Sequence, residues 1–361
     1  MPSIVSIGDA VPRNVIEQSQ AIEFATELFS PSFKDIERLL AAFQNGQIKK
    51  RHLVKPLDWY KQGHSFAEKN AAYIEASITL GAEAITKCLT NTTFLQESVP
   101  YEDISAIFMI SSTGVATPSI EARIMNYLPF LPHTKRIPIW GLGCAGGASG
   151  LSRAYEYCLA YPHEKVIVLS IELSSLTFQR NDFSKSNLIG TSLFADGAAC
   201  ALVCGDKTDL ESIQKHKAAP NIIATQSTLK PQSLDVMGWE VRNEGFFVIF
   251  SKDIPTIVEG WLKPNVTEFL TKTGFEWREI NHFIAHPGGK KVLEAYTKAL
   301  EIPNTMTEVS LEILQNYGNM SSATIFYVLQ RMMESADMGD IGLATALGPG
   351  FSSELLLMRW E

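Results

Sequence analysis

The chain has 361 residues, of which 45% are hydrophobic and 19% are charged. This length exceeds one average domain, and the composition supplies a large apolar core while arguing against disorder. The formal net charge is −8, which disfavours nucleic acid as a partner. The first ten residues carry no basic cluster, and no apolar stretch has the length of a membrane span. We therefore predict a soluble, cytoplasmic protein.

Apolar runs alternate with helical patterns along the chain, which is typical of an α/β protein. In chain order the predicted strands cover 104–111, 136–140, 166–171, 197–203, 280–285, 341–347 and 355–360, and the predicted helices cover 145–159, 290–300 and 324–333. The polar stretch 207–221 separates two halves, and strands in each half end in glycine-rich turns. We therefore predict two similar halves, 1–213 and 214–361.

The chain has five cysteines, and disulfides are not expected in the cytoplasm. Packing explains four of them, because Cys200 lies in the apolar run 198–203, Cys204 lies at its end, and Cys88 and Cys158 lie in helix-like segments. The sequence contains no CxxC pair and no His/Cys cluster at ligand spacing, so we predict no metal site. The fifth, Cys144, stands in a different setting.

Cys144 lies in the turn GLGCAGG, between a predicted strand and a predicted helix. The positive end of a helix dipole and nearby backbone N–H groups favour thiolate, the form that attacks thioesters. The flanking glycines allow a ligand to approach the backbone, and an N–H group can then face a developing oxyanion. The alternative is a buried cysteine in a tight strand–helix turn.

Two further segments carry groups that could work with a thiol. His286 ends a predicted strand in FIAHPGG, and a neutral imidazole there can take a proton from a thiol or donate to a thioester carbonyl. Asn319 lies in NYGNMSSA, and its amide can donate to an oxyanion. Alternatively, each residue caps the helix that follows it. Together the three segments predict acyl-transfer chemistry on a cysteine.

These segments resemble the type III polyketide synthases, the chalcone synthase-like branch of the thiolase-fold condensing enzymes. The resemblance extends over nearly the whole chain and rests on GCAGG at Cys144, LFADGAA at 193–199, IAHPGG at His286, GNMSSA at Asn319 and GPGFSSE at 348–354. It implies an αβαβα five-layer sandwich built from two duplicated halves. The half 1–213 would carry the cysteine, the half 214–361 would carry the histidine and the asparagine, and the enzyme would be a homodimer.

The resemblance also implies a mechanism. Cys144 would accept the acyl group of an acyl-CoA starter, and malonyl-CoA would then bind and lose CO₂. His286 and Asn319 would stabilise the resulting enolate, which attacks the Cys144 thioester and forms a carbon–carbon bond. CoA thioesters are the substrates, and no metal or redox cofactor is expected.

The resemblance carries several pocket residues onto this chain. Phe194 matches the gatekeeper phenylalanine of the family, although an ordinary core aromatic is the alternative. A second aromatic gatekeeper falls on Val248, whose smaller side chain implies a wider cavity. Ser321 and Gly288 lie within the motifs of Asn319 and His286 and would line the site. Thr177 lies near a position that shapes the plant cavity.

Three residues are expected at the entrance or at the subunit contact. Lys49 and Arg51 resemble the basic segment that meets the phosphates of CoA, and a solvated charged surface is the alternative. Thr117 lies where the plant enzymes extend a residue into the partner's cavity, and threonine is shorter than the side chain expected there. This difference also indicates an altered pocket.

Val248 and the general divergence from the plant pattern favour a bacterial type of enzyme. We expect it to use medium- or long-chain fatty acyl-CoA and to release alkylpyrones or alkylresorcinols. Alternatives are a chalcone or stilbene synthase-like enzyme with aromatic or malonyl starters, a ketoacyl synthase III-like enzyme fed by carrier protein, and a Cys-His-Asn acyl-CoA thioesterase. A ligand-binding relative without catalysis is disfavoured, because binding alone does not require a thiol, an imidazole and an amide together.

Overall fold

The computed structural model describes residues 1–30, 36–215 and 218–361. Within these ranges the strands are β1 (Ser3–Ala10), β2 (Asn14–Glu17), β3 (Lys50–Leu53), β4 (Ile104–Ser111), β5 (Lys135–Trp140), β6 (Lys165–Leu173), β7 (Asp196–Cys204), β8 (Pro220–Leu229), β9 (Met237–Arg242), β10 (Gly245–Phe250), β11 (His282–Ala285), β12 (Ile341–Gly348) and β13 (Ser352–Trp360). The helices are α1 (Gln18–Phe29), α2 (Ile36–Asn45), α3 (Leu57–Tyr60), α4 (Phe66–Leu89), α5 (Ile120–Ile124), α6 (Gly146–Ala160), α7 (Lys185–Leu193), α8 (Leu210–Ile213), α9 (Ile254–Thr273), α10 (Lys290–Leu300), α11 (Glu308–Tyr317) and α12 (Thr324–Ser335).

The predicted elements are confirmed, with small differences at their ends. The strand over 104–111 and the helix over 290–300 match β4 and α10 residue for residue. The strand predicted over 280–285 begins later, because a 3₁₀ turn over Trp277–Glu279 precedes it and the N–H of Ile280 donates to the carbonyl of Trp277. The sequence analysis missed β1, α4, α9 and the β9–β10 hairpin.

Nine strands form one mixed sheet in the order β11-β12-β13-β8-β1-β7-β6-β4-β5. The N-terminal strands β1 and β4–β7 occupy one side, and the C-terminal strands β8 and β11–β13 occupy the other. The two sides join where β1 pairs with β8, and one residue pair, Ser3 and Asn221, makes this connection. Each half of the chain therefore builds its own part of the sheet.

Helices α6 and α12 lie between the two parts of the sheet. They share one apolar cluster with β4, β7, β12 and β13. Side chains along a strand point alternately to its two faces. Ala106, Phe108 and Ile110 of β4 therefore belong to this central cluster, whereas Ile107 and Met109 belong to the outer cluster that contains α4. On the other outer face, α9 and α10 cover β11–β13. The layers are thus α, β, α, β, α, which confirms the predicted sandwich.

A smaller cluster lies outside the five layers. It consists of α1, part of α2, the paired strands β2 and β3, and the buried side chains of Tyr60 and Leu188. Leu188 belongs to α7, which leads directly to Phe194. The cluster therefore packs beside the segment that carries the predicted gatekeeper.

Gly147 is the closest point between the two central helices. A Cβ atom built on Gly147 would lie 2.2 Å from the carbonyl oxygen of Ser322 and 2.8 Å from Ile325. The first of these neighbours is backbone and cannot give way, so α6 can approach the start of α12 this closely only with glycine at this position. The packing of the central layer depends on that approach.

We expect Gly147→Ala to lower the free energy of unfolding by about 1–3 kcal/mol, because overpacking forces the two helices apart. Gly260 in α9 is the matched control, since a Cβ atom there meets nothing within 4 Å. Gly260→Ala should leave stability unchanged or raise it by up to about 1 kcal/mol, because alanine favours helix. Urea unfolding of both variants measures the difference. Equal effects of the two substitutions would contradict the close approach.

Candidate active site

Cys144 lies where β5 passes into α6. A 3₁₀ turn over Gly143–Ala145 follows the strand, and α6 begins at Gly146. Gly143 adopts a φ of +47°, and a Cβ atom there would lie 2.8 Å from Pro349. The GPG turn after β12 therefore packs directly against the turn that carries the thiol. Only glycine fits both the backbone conformation and the space.

Asn319 is held by its backbone and by its side chain. Its N–H donates to the carbonyl of Leu193 at 2.9 Å, and its carbonyl accepts from the N–H of Ala195 at 2.9 Å. The side-chain Oδ1 accepts from the backbone N–H of Ser321 at 2.8 Å, and Ser321 itself has a left-handed φ of 49°. Oδ1 also lies 4.0 Å from the Sγ atom of Cys144. The amide and the thiol are therefore neighbours.

His286 follows β11 and is fixed by its backbone, whose N–H donates to the carbonyl of Thr345 at 2.8 Å. Its side chain is buried, and neither Nδ1 nor Nε2 has a hydrogen-bond partner among the described residues. Two residues later, the carbonyl of Gly288 accepts from Nδ2 of Asn319 at 3.1 Å. Gly288 also borders the imidazole, since a Cβ atom built there would lie 3.9 Å from its Nε2. The histidine and the asparagine thus meet around Gly288.

Burial keeps both the thiol and the imidazole uncharged. Burial raises the pKa of the Cys144 thiol to about 11, against hydrogen bonds from Ser321 and Asn319 that lower it, and the charge of Glu172 raises it further. Burial also lowers the pKa of His286 to about 3. Burial thus outweighs the backbone N–H groups at the helix N-terminus, which the sequence analysis expected to favour a thiolate. The thiol keeps its proton until a base takes it, and the neutral imidazole can act as that base.

A buried carboxyl group lies near the thiol, and the sequence analysis missed it. Glu172, in β6, accepts from the backbone N–H of Ser112 at 3.0 Å and from the hydroxyl groups of Ser112 and Ser322. The hydroxyl of Ser170 hydrogen-bonds Ser322 at 2.7 Å. Burial raises the pKa of Glu172 despite these donors. The available signal was a carboxylate at the end of an otherwise apolar strand.

A pocket with about 590 Å³ of space, part of it open to solvent, lies beside Phe194 and is here called the inner cavity. It is lined by Ile16, Ala21, Phe24, Arg51, Leu53, Leu57, Tyr60, Ser174, Ser175, Thr177, Phe178, Asn187, Gly190, Thr191, Phe194 and Val248. Three predicted pocket residues, Phe194, Val248 and Thr177, are therefore brought together. Cys144 is not part of the lining, but Phe194 connects the two places because its backbone pairs with that of Asn319.

The side chains along the inner cavity are mainly apolar. The ring of Phe194 packs against Trp239 and Phe250 at 5.8 and 5.5 Å between centroids. A Cβ atom on Gly190 would lie 3.3 Å from Phe194 and 3.5 Å from Val248, so this side of the cavity is narrow. The hydroxyl of Ser174 is buried without a hydrogen-bond partner among the described residues. The cavity therefore offers mainly carbon surface, and its unpaired polar groups among the described residues are the hydroxyl of Ser174 and the Nε atom of Arg51.

The predicted role of Arg51 at the CoA phosphates does not fit its position. Side chains of β3 alternate, so Arg51 points inward while Lys50 and His52 are only partly buried. Its guanidinium donates to the carbonyls of Thr191 and Phe194 and to Oε1 of Gln18. Burial lowers its pKa to about 10. Arg51 is therefore an internal support for the Phe194 segment.

Two other predicted residues lie apart from the site. Lys49 is exposed just before β3, and its backbone N–H donates to the backbone carbonyl of Gln315 at 2.8 Å. Thr117 is exposed in the connection between β4 and α5. Neither side chain joins the inner cavity.

Over residues 1–30, 36–215 and 218–361, no helix combines the length and apolar character of a membrane span. The same part of the chain contains no group of three or more His, Cys, Asp or Glu placed to hold a metal ion.

The lowered pKa of His286 predicts a specific loss of stability in acid. Between pH 6.5 and 3 the unfolded chain binds a proton at His286 that the folded chain does not, so the free energy of unfolding falls as the pH falls. From pH 7 to pH 5 this contribution is about 2 kcal/mol. His286→Gln cannot titrate, so the wild type should lose about that much more stability than the variant. Urea unfolding of both proteins at both pH values measures this; equal losses would contradict a neutral buried imidazole.

Comparison with known proteins agrees with this geometry. Residues 1–207 match the family model described as "Chalcone and stilbene synthases, N-terminal domain", and residues 221–360 match the corresponding C-terminal domain. The chain is 56% identical to a Bacillus subtilis protein named "Putative chalcone synthase", over 100% of this chain and 99% of that protein. It is 28% identical to an alpha-pyrone synthesis polyketide synthase-like protein of Mycobacterium tuberculosis, over 98% of this chain and 90% of the other.

Its fold is also similar to the crystal structure of 1,3,6,8-tetrahydroxynaphthalene synthase from Streptomyces coelicolor, a bacterial type III polyketide synthase. The TM-score is 0.91 and the identity 26%, over 99% of both chains. The sandwich, the thiol turn and the family models over both halves of the chain lead to one conclusion. This chain belongs to the chalcone and stilbene synthase family and is a type III polyketide synthase, an acyltransferase that carries out decarboxylative condensation of CoA thioesters.

Proposed function

We propose that the enzyme loads a medium- or long-chain fatty acyl group from CoA onto Cys144, extends it with malonyl-CoA and cyclises the product to an alkylpyrone or alkylresorcinol. The observation that carries this proposal is the inner cavity beside Phe194, which is apolar and is bordered by Val248 instead of a second aromatic ring. A relative named for alpha-pyrone synthesis is 28% identical, whereas two relatives named 1,3,6,8-tetrahydroxynaphthalene synthase are 34% and 30% identical, so the proposed product class rests on the cavity.

In the loading step, Cys144 attacks the acyl-CoA carbonyl while His286 takes the thiol proton. The sulfur–carbonyl bond forms, the bond to CoA breaks, and His286 returns the proton to the departing CoA thiolate. The uncharged imidazole supports this assignment, because only a neutral imidazole can accept the proton of the thiol.

In the extension step, malonyl-CoA loses CO₂ and leaves an enolate on its thioester oxygen. An N–H group of His286 and the Nδ2 atom of Asn319 donate to that oxygen. The enolate carbon attacks the Cys144 thioester, and the thiolate of Cys144 departs. Thioester cleavage and CO₂ release drive these steps, so the proposal assigns no metal or redox cofactor to them.

The proposal of a fatty starter rests on the chemistry of the cavity wall. Each methylene group moved from water into an apolar pocket contributes about 0.8 kcal/mol, so affinity should grow with chain length until the pocket is full. Ser174 offers the only free hydroxyl among the described lining residues, which suits a chain better than a phenol-bearing starter. An aromatic or malonyl starter is the alternative, and the products formed from a series of starters distinguish it from a fatty starter.

We also propose that the enzyme works as a homodimer. Strand β5 is the last strand of the nine-stranded sheet, and an unpaired edge is commonly covered by another chain. Large apolar side chains around it are exposed, with 54% of Trp140 and 73% of Tyr127 accessible. Thr117 lies in the same region, since the indole of Trp140 donates to the carbonyl of Gly114. A second copy that covers this edge would bury these residues.

We propose the cytoplasm as the compartment, because the reaction uses CoA thioesters and requires Cys144 as a free thiol. The boundary between the halves, with one over 1–213 and the other over 214–361, remains a proposal. It rests on the polar connection in the sequence and on the strand order, because the chain passes from the N-terminal part of the sheet to the C-terminal part between β7 and β8.

Asn319→Ala should lower the rate of malonyl-CoA decarboxylation by roughly 10²–10³, the usual effect of one lost oxyanion donor. Loading of the starter should survive, because the thiol and the base are intact. Release of labelled CO₂ measures the first step, and the mass of the acylated protein measures the second. Cys144→Ala is the control that abolishes loading. A variant that decarboxylates at the wild-type rate would contradict the assigned role of Asn319.

A starter series from acetyl-CoA to stearoyl-CoA, with an aromatic acyl-CoA added, tests the proposed substrate. With labelled malonyl-CoA, fatty starters should give pyrone or resorcinol masses that disappear in Cys144→Ala. Val248→Phe should lower kcat/KM for long starters by about tenfold or more while sparing acetyl-CoA, because the added ring fills the cavity. Free fatty acid without labelled product would instead indicate a thioesterase, and a requirement for carrier-bound malonate would indicate a ketoacyl synthase.

A further inference from the structure

The inner cavity has a neighbour with which it shares two aromatic side chains. The second cavity, here called the outer cavity, is larger, with about 990 Å³ of space that includes open solvent, and its wall carries charged side chains beside aromatic ones. It is lined by Trp59, Tyr60, Gln62, Gly63, His64, Lys69, Phe178, Gln179, Arg180, Asn181, Asp182, Arg242, Glu244 and Phe247. Tyr60 and Phe178 line both cavities. The two rings therefore form the partition between an apolar space and one that carries charged side chains.

Each ring of this partition is held in place by groups from different elements. The ring of Phe178 packs against Phe24 of α1 at 5.8 Å and against Tyr60 of α3 at 6.3 Å between centroids. The hydroxyl of Tyr60 hydrogen-bonds the hydroxyl of Ser175 at 2.6 Å. The backbone N–H of Ser175 in turn donates to Asp196 at 2.8 Å. The partition is therefore a fixed wall.

The outer side of the wall is anchored by a buried cation. The Nζ atom of Lys69 donates to the carbonyl of Phe178 at 2.9 Å and to Oε1 of Gln179 at 2.8 Å. An acyl chain that passed the wall would meet this ammonium group together with Arg180 and Arg242. Carbon placed there could contact Trp59 and Phe247, but it would also separate the charged groups from water, which costs free energy. The change in polarity across Phe178 thus disfavours further extension of a chain.

We propose that Phe24, Tyr60 and Phe178 form the end wall of the acyl-binding cavity and set the longest starter that the enzyme accepts. The inference rests on the proposed function, in which the fatty chain of the starter occupies the inner cavity. Phe178 is the determining residue, because it contacts both other rings and faces both cavities. Removing its ring joins the inner cavity to the outer one. Longer chains are then tolerated, although the charged groups of the outer cavity limit the affinity that they add.

Two substitutions should move the length limit in opposite directions. Phe178→Ala opens the wall, so kcat/KM should fall off at a longer starter than in the wild type. For starters two carbons beyond the wild-type limit, kcat/KM relative to the optimal starter should rise at least about tenfold. Ala21 of α1 also lines the inner cavity, and Ala21→Leu should move the limit to shorter chains. Phe247 lines only the outer cavity, so Phe247→Ala is the matched control and should leave the limit unchanged.

The experiment measures kcat/KM of the full-length enzyme with malonyl-CoA and even-chain acyl-CoA starters from C2 to C20, for the wild type and all variants. Thermal unfolding checks that each variant is folded; Phe178→Leu replaces Phe178→Ala if the latter is not. Opposite shifts in the two variants, with none in the control, support the wall. If all variants condense fatty starters with the same length limit as the wild type, the proposed wall is wrong and the proposed function stands. A wild type that condenses no fatty starter overturns the proposed function and the wall with it.

Discussion

The approach of the two central helices is the constraint on which the site depends. Helix α6 begins after the thiol turn and α12 begins after the asparagine turn, and Gly147 of α6 contacts the carbonyl of Ser322, just before α12, with no room for a Cβ atom on the glycine. This contact brings the Sγ atom of Cys144 to 4.0 Å from Oδ1 of Asn319 although the residues lie far apart in sequence. The active site is therefore a product of how the two halves pack, and neither half alone contains it.

The same packing leaves polar groups unpaired where the reaction takes place. Both ring nitrogens of His286 are buried without partners among the described residues, and an unpaired buried polar group costs about 1–3 kcal/mol. A substrate that brings a thioester oxygen, or a thiol proton in transit, supplies the missing partner. Burial also holds Cys144 and His286 uncharged. The folded enzyme thus holds a site whose hydrogen bonds are completed by the substrate, which favours binding groups that develop negative charge.

Local sequence predicted the parts of the site that depend on local structure. Cys144, His286 and Asn319 could be selected as candidates because each lies in a glycine-bearing turn next to a predicted strand or helix, and the structure brings them together around Gly288 and the thiol. Arg51 was misplaced because its inward direction depends on the pairing of β3 with β2, more than thirty residues away, which composition does not reveal. Phe178 was missed for a related reason: its ring forms a wall only with Phe24 and Tyr60, which come from distant elements. The charge state of the Cys144 thiol could not be predicted either, because its pKa depends on how deeply the whole fold buries it.

The division between layers separates catalysis from substrate choice. The thiol, the imidazole and the amide rest on the central helices and strands, whereas the inner cavity is completed by α1, α3 and β3 outside the five layers. Arg51 links these regions, because its guanidinium binds Gln18 of α1 and the carbonyl of Phe194, next to Asn319. Changes in the outer cluster can therefore alter the cavity without moving the reacting groups, as long as this arginine keeps the Phe194 segment in place. One condensing site can in this way serve starters of different length.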